Sequence, residues 1–365
     1  MIFDTRRTKE MEVQQILEEA LRRGASDVHL MVGVFPTLRI DGKLIPFTKG
    51  PTPTPEYIEK LVLSLCSPEQ KELLLTNKEL DFSFALGEVA RFRVNAFYQK
   101  GYLSAALRLI PNKIPNLEEL HLPSVLGNLT KLRQGLILVT GPTGHGKSTS
   151  IASLINKINE EKGVHIVTVE DPIEYVYPSR KSLIAQREMH LDTHSWEIAL
   201  RSVLREDPDV VLIGEMRDYE TIESVLTIAE TGHLVFATLH TNSASQTLDR
   251  VVGVFPENQQ EQVKMQLSNV LEAVISMRLL PAVEGGRYPA TEILLATPAV
   301  RNVIREGKTH LIDNIIQTSA SIGMVTLETS LANLVRAGYV SLETALSYSL
   351  KPQELMREVK AKTGS

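Results

Sequence analysis

Apolar positions follow two different rhythms along this chain, and the change between them divides it. Through residue 110 the spacing is either helical or strictly alternating. In MEVQQILEEALRRG, Val13, Ile16, Leu17, Ala20 and Leu21 fall on one helical face, and Gly24 supplies the stop. DVHLMVG and TLRIDGKLIPF read as strands, with Asp41-Gly42 as a type I′ hairpin turn. GPTPTPEY is a loop leading to a helix that begins on proline. SPEQKELLL carries a capping box, with Ser67 as N-cap, Pro68 at N1 and Gln70 at N3. LDFSFAL, ARFRVNAFYQ and LSAALRLI alternate like strands of an antiparallel sheet. Strands and helices without regular β-α alternation predict a small α+β domain with helices on one sheet face.

PNKIPNLEELHLP, Pro111 to Pro123, has three prolines among polar neighbours and reads as a linker. Beyond it GLILVT, HIVTVE, DVVLIGE and LVFATLH are short, nearly continuous apolar runs separated by helical segments. Strands buried on both faces of a parallel sheet have that pattern. From about residue 286 the strands fade, and TPAVRNVIREG, VTLETSLANLVRAG and SLETALSYS read as helices before a polar, frayed tail. The expected class is α/β, divided as 1–112, a linker 113–123, a core 124–285 and a helical lobe 286–365.

Composition narrows the picture. The 365 residues are 43% hydrophobic, ample for two domains, and the net charge is −5. An acidic total without a polybasic tail or a basic-aromatic groove argues against a nucleic-acid translocase. The single cysteine, Cys66, excludes an intrachain disulfide and a four-cysteine zinc site, and its setting in IEKLVLSLC reads as a buried helix position. The N-terminus lacks the apolar core of a signal peptide, and no window offers the ~20 apolar residues of a membrane span. The chain is expected in the cytosol, able to dock on a membrane-embedded partner.

Gly141-Pro142-Thr143-Gly144-His145-Gly146-Lys147-Ser148 fits G-x-x-x-x-G-K-[ST], between an apolar strand and the helix STSIASLINKINEE. Backbone N–H groups of this loop, through Thr149, turn toward phosphate oxygens at a helix N-terminus. Lys147 is expected on the β- and γ-phosphates of ATP and Ser148 on Mg²⁺. His145 contributes only its backbone amide in this reading, with its side chain turned outward.

Further acids must complete such a site. DVVLIGEMRD ends in Gly214-Glu215, with glycine where an aspartate is usual, and HIVTVEDPIE ends in Glu170 and Asp171. Ligands in open α/β sheets gather beyond the carboxyl ends of the strands. Glu215 is assigned to Mg²⁺ through water and Glu170 to orienting the attacking water, the reverse assignment remaining open. Asp171, before Pro172, shapes the turn. His240 ends the strand in TGHLVFATLHTN and His233 begins it. A histidine at a strand tip can donate to a γ-phosphate or a catalytic carboxylate. His240 is therefore a catalytic candidate and His233 a nucleotide-side one. In RFRVNAF, Arg91, Arg93 and Asn95 share one strand face and Phe92, Val94 and Ala96 the other. Phosphoryl transfer gains from arginines delivered by another domain or subunit, so Arg91, Arg93 and Arg108 are candidates.

ASDVHL (25–30), GPTGHGKST, TVEDPIE (168–174), LREDPDVVLIGEMRD (204–218) and TGHLVFATLHTN (231–242) together resemble the secretion-superfamily ATPases over nearly the whole chain. In that family the last four are the Walker A, Asp box, Walker B and His box. The likeness is greatest to the branch that retracts type IV pili in twitching motility, where a segment similar to AVRNVIREGK (299–308) is linked to retraction rather than hydrolysis. The resemblance implies a PAS-like N-terminal domain, a RecA-like ATPase domain and a homohexameric ring. It implies small-domain arginines near the nucleotide, which suits Arg91, Arg93 and Arg108, and supports Glu170 as the catalytic carboxylate with Glu215 near the metal. Implied partners are an inner-membrane pilus platform protein and, as a further candidate, a paralogous retraction ATPase, placing the ring on the inner face of the cytoplasmic membrane. Two departures stand out: His145 replaces a small residue, and Val300 stands where isoleucine is common. Pilus-extending and type II secretion relatives carry a longer N-terminal region and a four-cysteine zinc element, and their absence here favours retraction. A non-motor accessory ring is at odds with the intact Glu170 and Glu215.

Overall fold

The computed structural model describes residues 11–40, 42–47, 53–87, 89–110 and 113–361. Asp41 of the expected hairpin turn, residues 48–52 of the following loop, Pro111 and Asn112 of the expected linker and residues 362–365 of the polar tail lie outside the described residues. The chain forms two compact units. One comprises Met1–Lys113 with Asp171–Tyr175, and the other Ile114–Glu170 with Val176–Ser365.

The first unit is a six-stranded antiparallel sheet with helices on one face. Its elements are α1 (Val13–Arg22), β1 (Asp27–Met31), β2 (Val34–Ile40), β3 (Lys43–Pro46), α2 (Pro55–Leu63), α3 (Pro68–Asn77), β4 (Glu79–Leu86), β5 (Ala90–Gln99) and β6 (Tyr102–Ile110). The strand order is β3-β2-β1-β6-β5-β4. Helix α1 buries Val13, Ile16, Leu17 and Ala20, the predicted stripe, and Gly24 takes φ 65° just past its end. The capping box of α3 is present: Gln70 N–H donates to Ser67 Oγ at 3.2 Å and Ser67 N–H to Gln70 Oε1 at 2.9 Å. On β5, Phe92, Val94 and Ala96 enter the core while Arg91, Arg93 and Asn95 face away. Cys66 corrects the sequence reading. It sits in the bend after α2, not within a helix, and burial pushes its thiol up to about 11.

The second unit is a seven-stranded sheet in the order β13-β12-β7-β11-β10-β8-β9. Its strands are β7 (Gly135–Thr140), β8 (His165–Glu170), β9 (Leu183–Glu188), β10 (Val210–Ile213), β11 (Leu234–Leu239), β12 (Leu271–Pro281) and β13 (Arg287–Leu295). All neighbours are parallel except the β12–β13 hairpin. Every residue of β7, β10 and β11 is buried, as their unbroken apolar runs require. After α4 (Leu126–Leu129) come α5 (Lys147–Glu161), α6 (Trp196–Val203), α7 (Tyr219–Glu230), α8 (Ala244–Gly253) and α9 (Glu257–Val270) around the sheet. Helices α10 (Pro298–Arg305), α11 (Ile312–Thr318), α12 (Leu327–Arg336), α13 (Leu342–Tyr348) and α14 (Pro352–Ala361) complete the chain. The strands do not fade at residue 286: β13 continues the sheet to Leu295, so the helical segment starts after it. Strand β12 escapes the sequence reading because α9 runs into it at Leu271 without a turn residue.

Candidate active site

The topology decides which strand tips meet. Strand β7 delivers the glycine loop, β11 lies beside it, β10 is one strand further and β8 one further again. His240 follows β11, Glu215 follows Gly214 at the tip of β10, and Glu170 ends β8. The order of the tips from the loop outward is therefore His240, Glu215, Glu170, with about 4.8 Å between neighbouring strands.

The loop itself has the backbone the motif demands. Gly141 has φ 139°, and a Cβ there would lie 2.5 Å from the Met277 carbonyl oxygen on β12. Gly146 caps α5 at φ 87°, a left-handed conformation that side chains resist. Lys147 is buried, and its ammonium donates to the Gly141 carbonyl at 2.8 Å and the Pro142 carbonyl at 3.1 Å. The cation is thus folded back onto the loop that carries it. Ser148 and Thr149 occupy the first turn of α5, partly exposed, and Thr143 and Gly144 form the exposed crest.

A polar chain runs from this crest across the strand tips. Thr143 Oγ1 lies 3.5 Å from His240 Nδ1, and His240 Nε2 lies 3.1 Å from Glu215 Oε1. Arg217 Nε donates to Glu215 Oε2 at 3.0 Å. His240 therefore bridges the phosphate loop and the carboxylate, while Arg217 holds the other carboxylate oxygen. Arg217 lies within the segment 204–218, but the sequence reading gives it no role. Its one signal is its position two residues beyond Glu215, where the chain has left β10 and is free to double back. Glu170 is 8% exposed and differently held: Thr168 Oγ1 donates to its Oε1 at 2.8 Å and Gln186 Nε2 at 3.4 Å.

Two expectations fail. His233 does not join the site. It precedes β11, about 20 Å along the strand from His240, and its Nδ1 lies 2.9 Å from the Ile228 carbonyl at the end of α7. Parallel strands gather ligands only at their carboxyl ends, so a residue that starts one belongs at the opposite edge. His145 does not turn outward. The Leu279 N–H donates to its Nδ1 at 3.0 Å, and its ring stands 6.0 Å from that of Tyr348. Burial, then the cations of Arg278, Lys147 and Arg287, hold its pKa below the usual histidine value. A neutral ring accepting at Nδ1 suits that environment.

The three arginines stay on the antiparallel sheet and each has a partner there. Arg91 donates to Ser83 Oγ at 3.0 Å through Nε. Arg93 lies 3.8 Å from Asp81 and 3.6 Å from Glu174, and Arg108 donates to Asp27 at 2.9 Å. Arg93 and Arg108 stand directly opposite each other on β5 and β6.

A family model described as "Type II/IV secretion system protein" matches residues 4–286. The chain is 46% identical over 343 residues to the type IV pilus retractation ATPase PilT of Pseudomonas aeruginosa, covering 94% of this chain and 99% of that protein. It is 50% identical over 311 residues to the twitching motility protein of Neisseria gonorrhoeae, covering 85% and 83%. The crystal structure of the pilus retraction motor PilT with bound ADP matches with a TM-score of 0.88 at 48% identity, over 95% of this chain and 100% of that one.

Proposed function

This chain belongs to the type II/IV secretion system protein family, and we propose from that premise that it is an ATP-hydrolysing motor for type IV pilus retraction. One observation carries the reading of the chemistry: the glycine loop, His240 and Glu215 form one connected set, with Glu170 on the next strand tip. The reading of the task rests on 46% identity over 94% of the chain to a retraction ATPase and 50% identity over 85% of it to a twitching motility protein.

Hydrolysis needs a water to attack the γ-phosphorus as the bond to the β,γ-bridging oxygen breaks, releasing ADP and phosphate. Loop N–H groups and Lys147 bind the phosphates, the ammonium exchanging its two carbonyl acceptors for phosphate oxygens. Glu170, oriented by Thr168 and Gln186, accepts a proton from the attacking water. His240 stands between the crest of the loop and Glu215, placed to donate to the transferred group. Among the described residues no three His, Cys, Asp or Glu side chains cluster as a metal cage. One hydroxyl and one carboxylate suit Mg²⁺, which keeps waters and binds through phosphates. Ser148 and, through water, Glu215 would hold it, and it would neutralise charge on the phosphate oxygens.

The working unit in this reading is a homohexamer of PAS-like and RecA-like domains (1–112 and 124–285, with 113–123 between and 286–365 beyond). Arg91, Arg93 and Arg108 of one subunit serve the nucleotide of another, and the ring acts on an inner-membrane platform protein from the cytoplasmic side. A paralogous retraction ATPase is a candidate co-worker. No helix among the described residues is long and apolar enough to cross a membrane. Helix α10 supplies the retraction segment. Val300 and Ile304 are core, and Arg301 ties the helix to Ser268 O, Asn269 O and Glu272. Ala299 and Asn302 of the helix, and Glu306, Gly307 and Lys308 just beyond it, are exposed and open to a partner.

A deletion strain tests the task. Excess surface pili with lost twitching supports retraction, whereas bald cells overturn it. Purified chain that hydrolyses Mg-ATP, and ceases to when Lys147 becomes alanine, supports the chemistry.

A further inference from the structure

Two buried ionisable side chains grip the segment that follows His240. Arg278 on β12 and Glu292 on β13 are each 6% exposed. Arg278 Nη2 donates to Asn242 Oδ1 at 2.9 Å and to Asn242 O at 3.3 Å, and its Nη1 donates to Met277 O at 3.1 Å. Glu292 Oε1 accepts from the Ala244 N–H, the first residue of α8, at 2.6 Å. Between these two anchors Ser243 caps α8, its Oγ accepting from Gln246 N–H at 3.3 Å. Three consecutive residues, beginning two beyond His240, are thus each fixed by a different bond.

Burying ionisable groups is costly, and well-packed apolar side chains in their place would stabilise the fold as well or better. Strand β12 reads LEAVISMRLLP, and beyond Glu272 at its start Arg278 is its one charge, so a cation inside that buried stretch calls for a reason other than packing. The same strand also registers the phosphate loop. Ser276 Oγ lies 2.8 Å from Thr140 Oγ1, the Met277 carbonyl closes on Gly141, and Leu279 N–H donates to His145. One strand therefore sets the position of both the cradle and the segment carrying His240.

We infer that Arg278 and Glu292 are positioning residues for hydrolysis, clamping Asn242 to Ala244 so that His240 stands in register with Thr143 and Glu215. The inference rests on the reading of this site as an ATPase. A clamp of this kind leaves nucleotide affinity alone and acts on the chemical step, because His240 is displaced while the loop N–H groups remain.

The test uses the full chain as it assembles. It measures kcat and KM for Mg-ATP, affinity for a fluorescent ADP analogue, and amide hydrogen exchange. Arg278→Ala is expected to lower kcat on the order of 10- to 100-fold, with KM and ADP affinity unchanged. Exchange should quicken in residues 240–247 and not in the phosphate loop. Asn242→Ala, at an exposed position, should show the same pattern more weakly, and it carries the test if Arg278→Ala does not fold. Glu292→Gln keeps the acceptor for Ala244 and should retain kcat, whereas Glu292→Ala should not. On a His240→Ala background the Arg278 substitution should cost nothing more. An unchanged kcat with unchanged exchange at 240–247, or the same loss with and without His240, overturns the clamp. A wild-type chain that hydrolyses no ATP overturns the reading of the site instead, and the exchange measurement still reports on the clamp.

Discussion

Arg39, Asp27, Arg108, Arg93 and Ser83 stand in one row across five strands of the antiparallel sheet, each opposite the next. Only one of the five is an acid, and the Arg108 side chain is 75% exposed. On the parallel sheet Arg278 and Glu292 are almost fully buried and bonded to main-chain groups. Exposed ion pairs contribute about 0–1 kcal/mol each, so the first set of arginines can change partners at little cost. The second set cannot, since a buried charge stripped of its partners costs several kcal/mol. One sheet offers cations that are held lightly, and the other holds buried ionisable groups fast by main-chain bonds. The role proposed for Arg93 and Arg108 asks for groups that can travel, and the proposed phosphate cradle for groups that stay.

If the exposed arginines are structural, the contrast between the two sheets disappears. Arg93→Ala with Arg108→Ala is expected to lower kcat by about 10³ or more, the range for arginines acting on a transferred phosphoryl group. Thermal stability should barely move, since Arg93 and Arg108 face each other and removing them relieves repulsion as well as losing pairs. Steady-state kinetics beside a melting curve separates the two outcomes. A large fall in melting temperature with intact kcat would make the row a staple of the sheet.

Glu170 sharpens the other side. Glu170→Gln keeps the size and the bonds from Thr168 and Gln186 while removing the base. Its kcat should fall on the order of 10²- to 10⁴-fold with nucleotide binding retained. Single-turnover hydrolysis against nucleotide affinity measures this. Retained turnover would hand the water to Glu215, the reverse assignment.

Much of this is legible in the order of the residues alone. The alternation of ARFRVNAFYQ puts Arg91 and Arg93 on the outer face, and a period of two allows no other result. The strand–loop–helix context locates Lys147, and the ends of apolar runs locate Glu170, Glu215 and His240. The order of parallel strands is not legible, because it is set by crossovers through helices and not by neighbouring sequence. The place of His240 next to the loop, with Glu215 beyond it, therefore comes only from the fold. Arg278 is hidden for a related reason. Strand β12 grows directly out of α9, and its one cation looks like an interruption in an apolar run until Asn242 appears beside it. His233 is the opposite case, since chain direction alone puts it at the wrong edge for the nucleotide-side role expected of it.

Two carboxylates, one on each sheet, extend the comparison to pH. Burial pushes Glu292 up to about 7, with Asp313 and Glu328 adding to the rise and the Ala244 N–H and Lys351 opposing it. Arg278 is the cation on the adjoining strand. The native state then holds a proton that the unfolded chain releases near 4.5. Stability from this group is greatest below 4.5 and is lost as pH rises toward 7. Glu292→Gln removes that loss. The variant should be more stable than wild type at pH 8, by a few kcal/mol at most, and the gap should close below 4.5. Denaturant melts across pH measure it, and a gap of constant size would mean that packing around the amide, not ionisation, sets the difference.

Asp27 should behave in the opposite sense and more weakly. Burial favours its neutral form, but the bonds from Arg108 and Ser26 and the charges of Arg108 and Arg39 prevail and hold its carboxyl below 3.8. The unfolded chain now binds the proton more readily, so this stabilisation is present above 3.8 and disappears as pH falls into the lowered range. Solvent screens the pair, because Arg108 is mostly exposed, and Asp27→Asn should cost under about 1 kcal/mol at neutral pH. Added salt should shrink even that, as the Debye length falls to about 3 Å at 1 M. The same substitution frees Arg108, so its kcat should hold or rise while Arg108→Ala loses activity. A loss of several kcal/mol, or one indifferent to salt, would show that the arginine row is locked, and the distinction between travelling and stationary charges would fall with it.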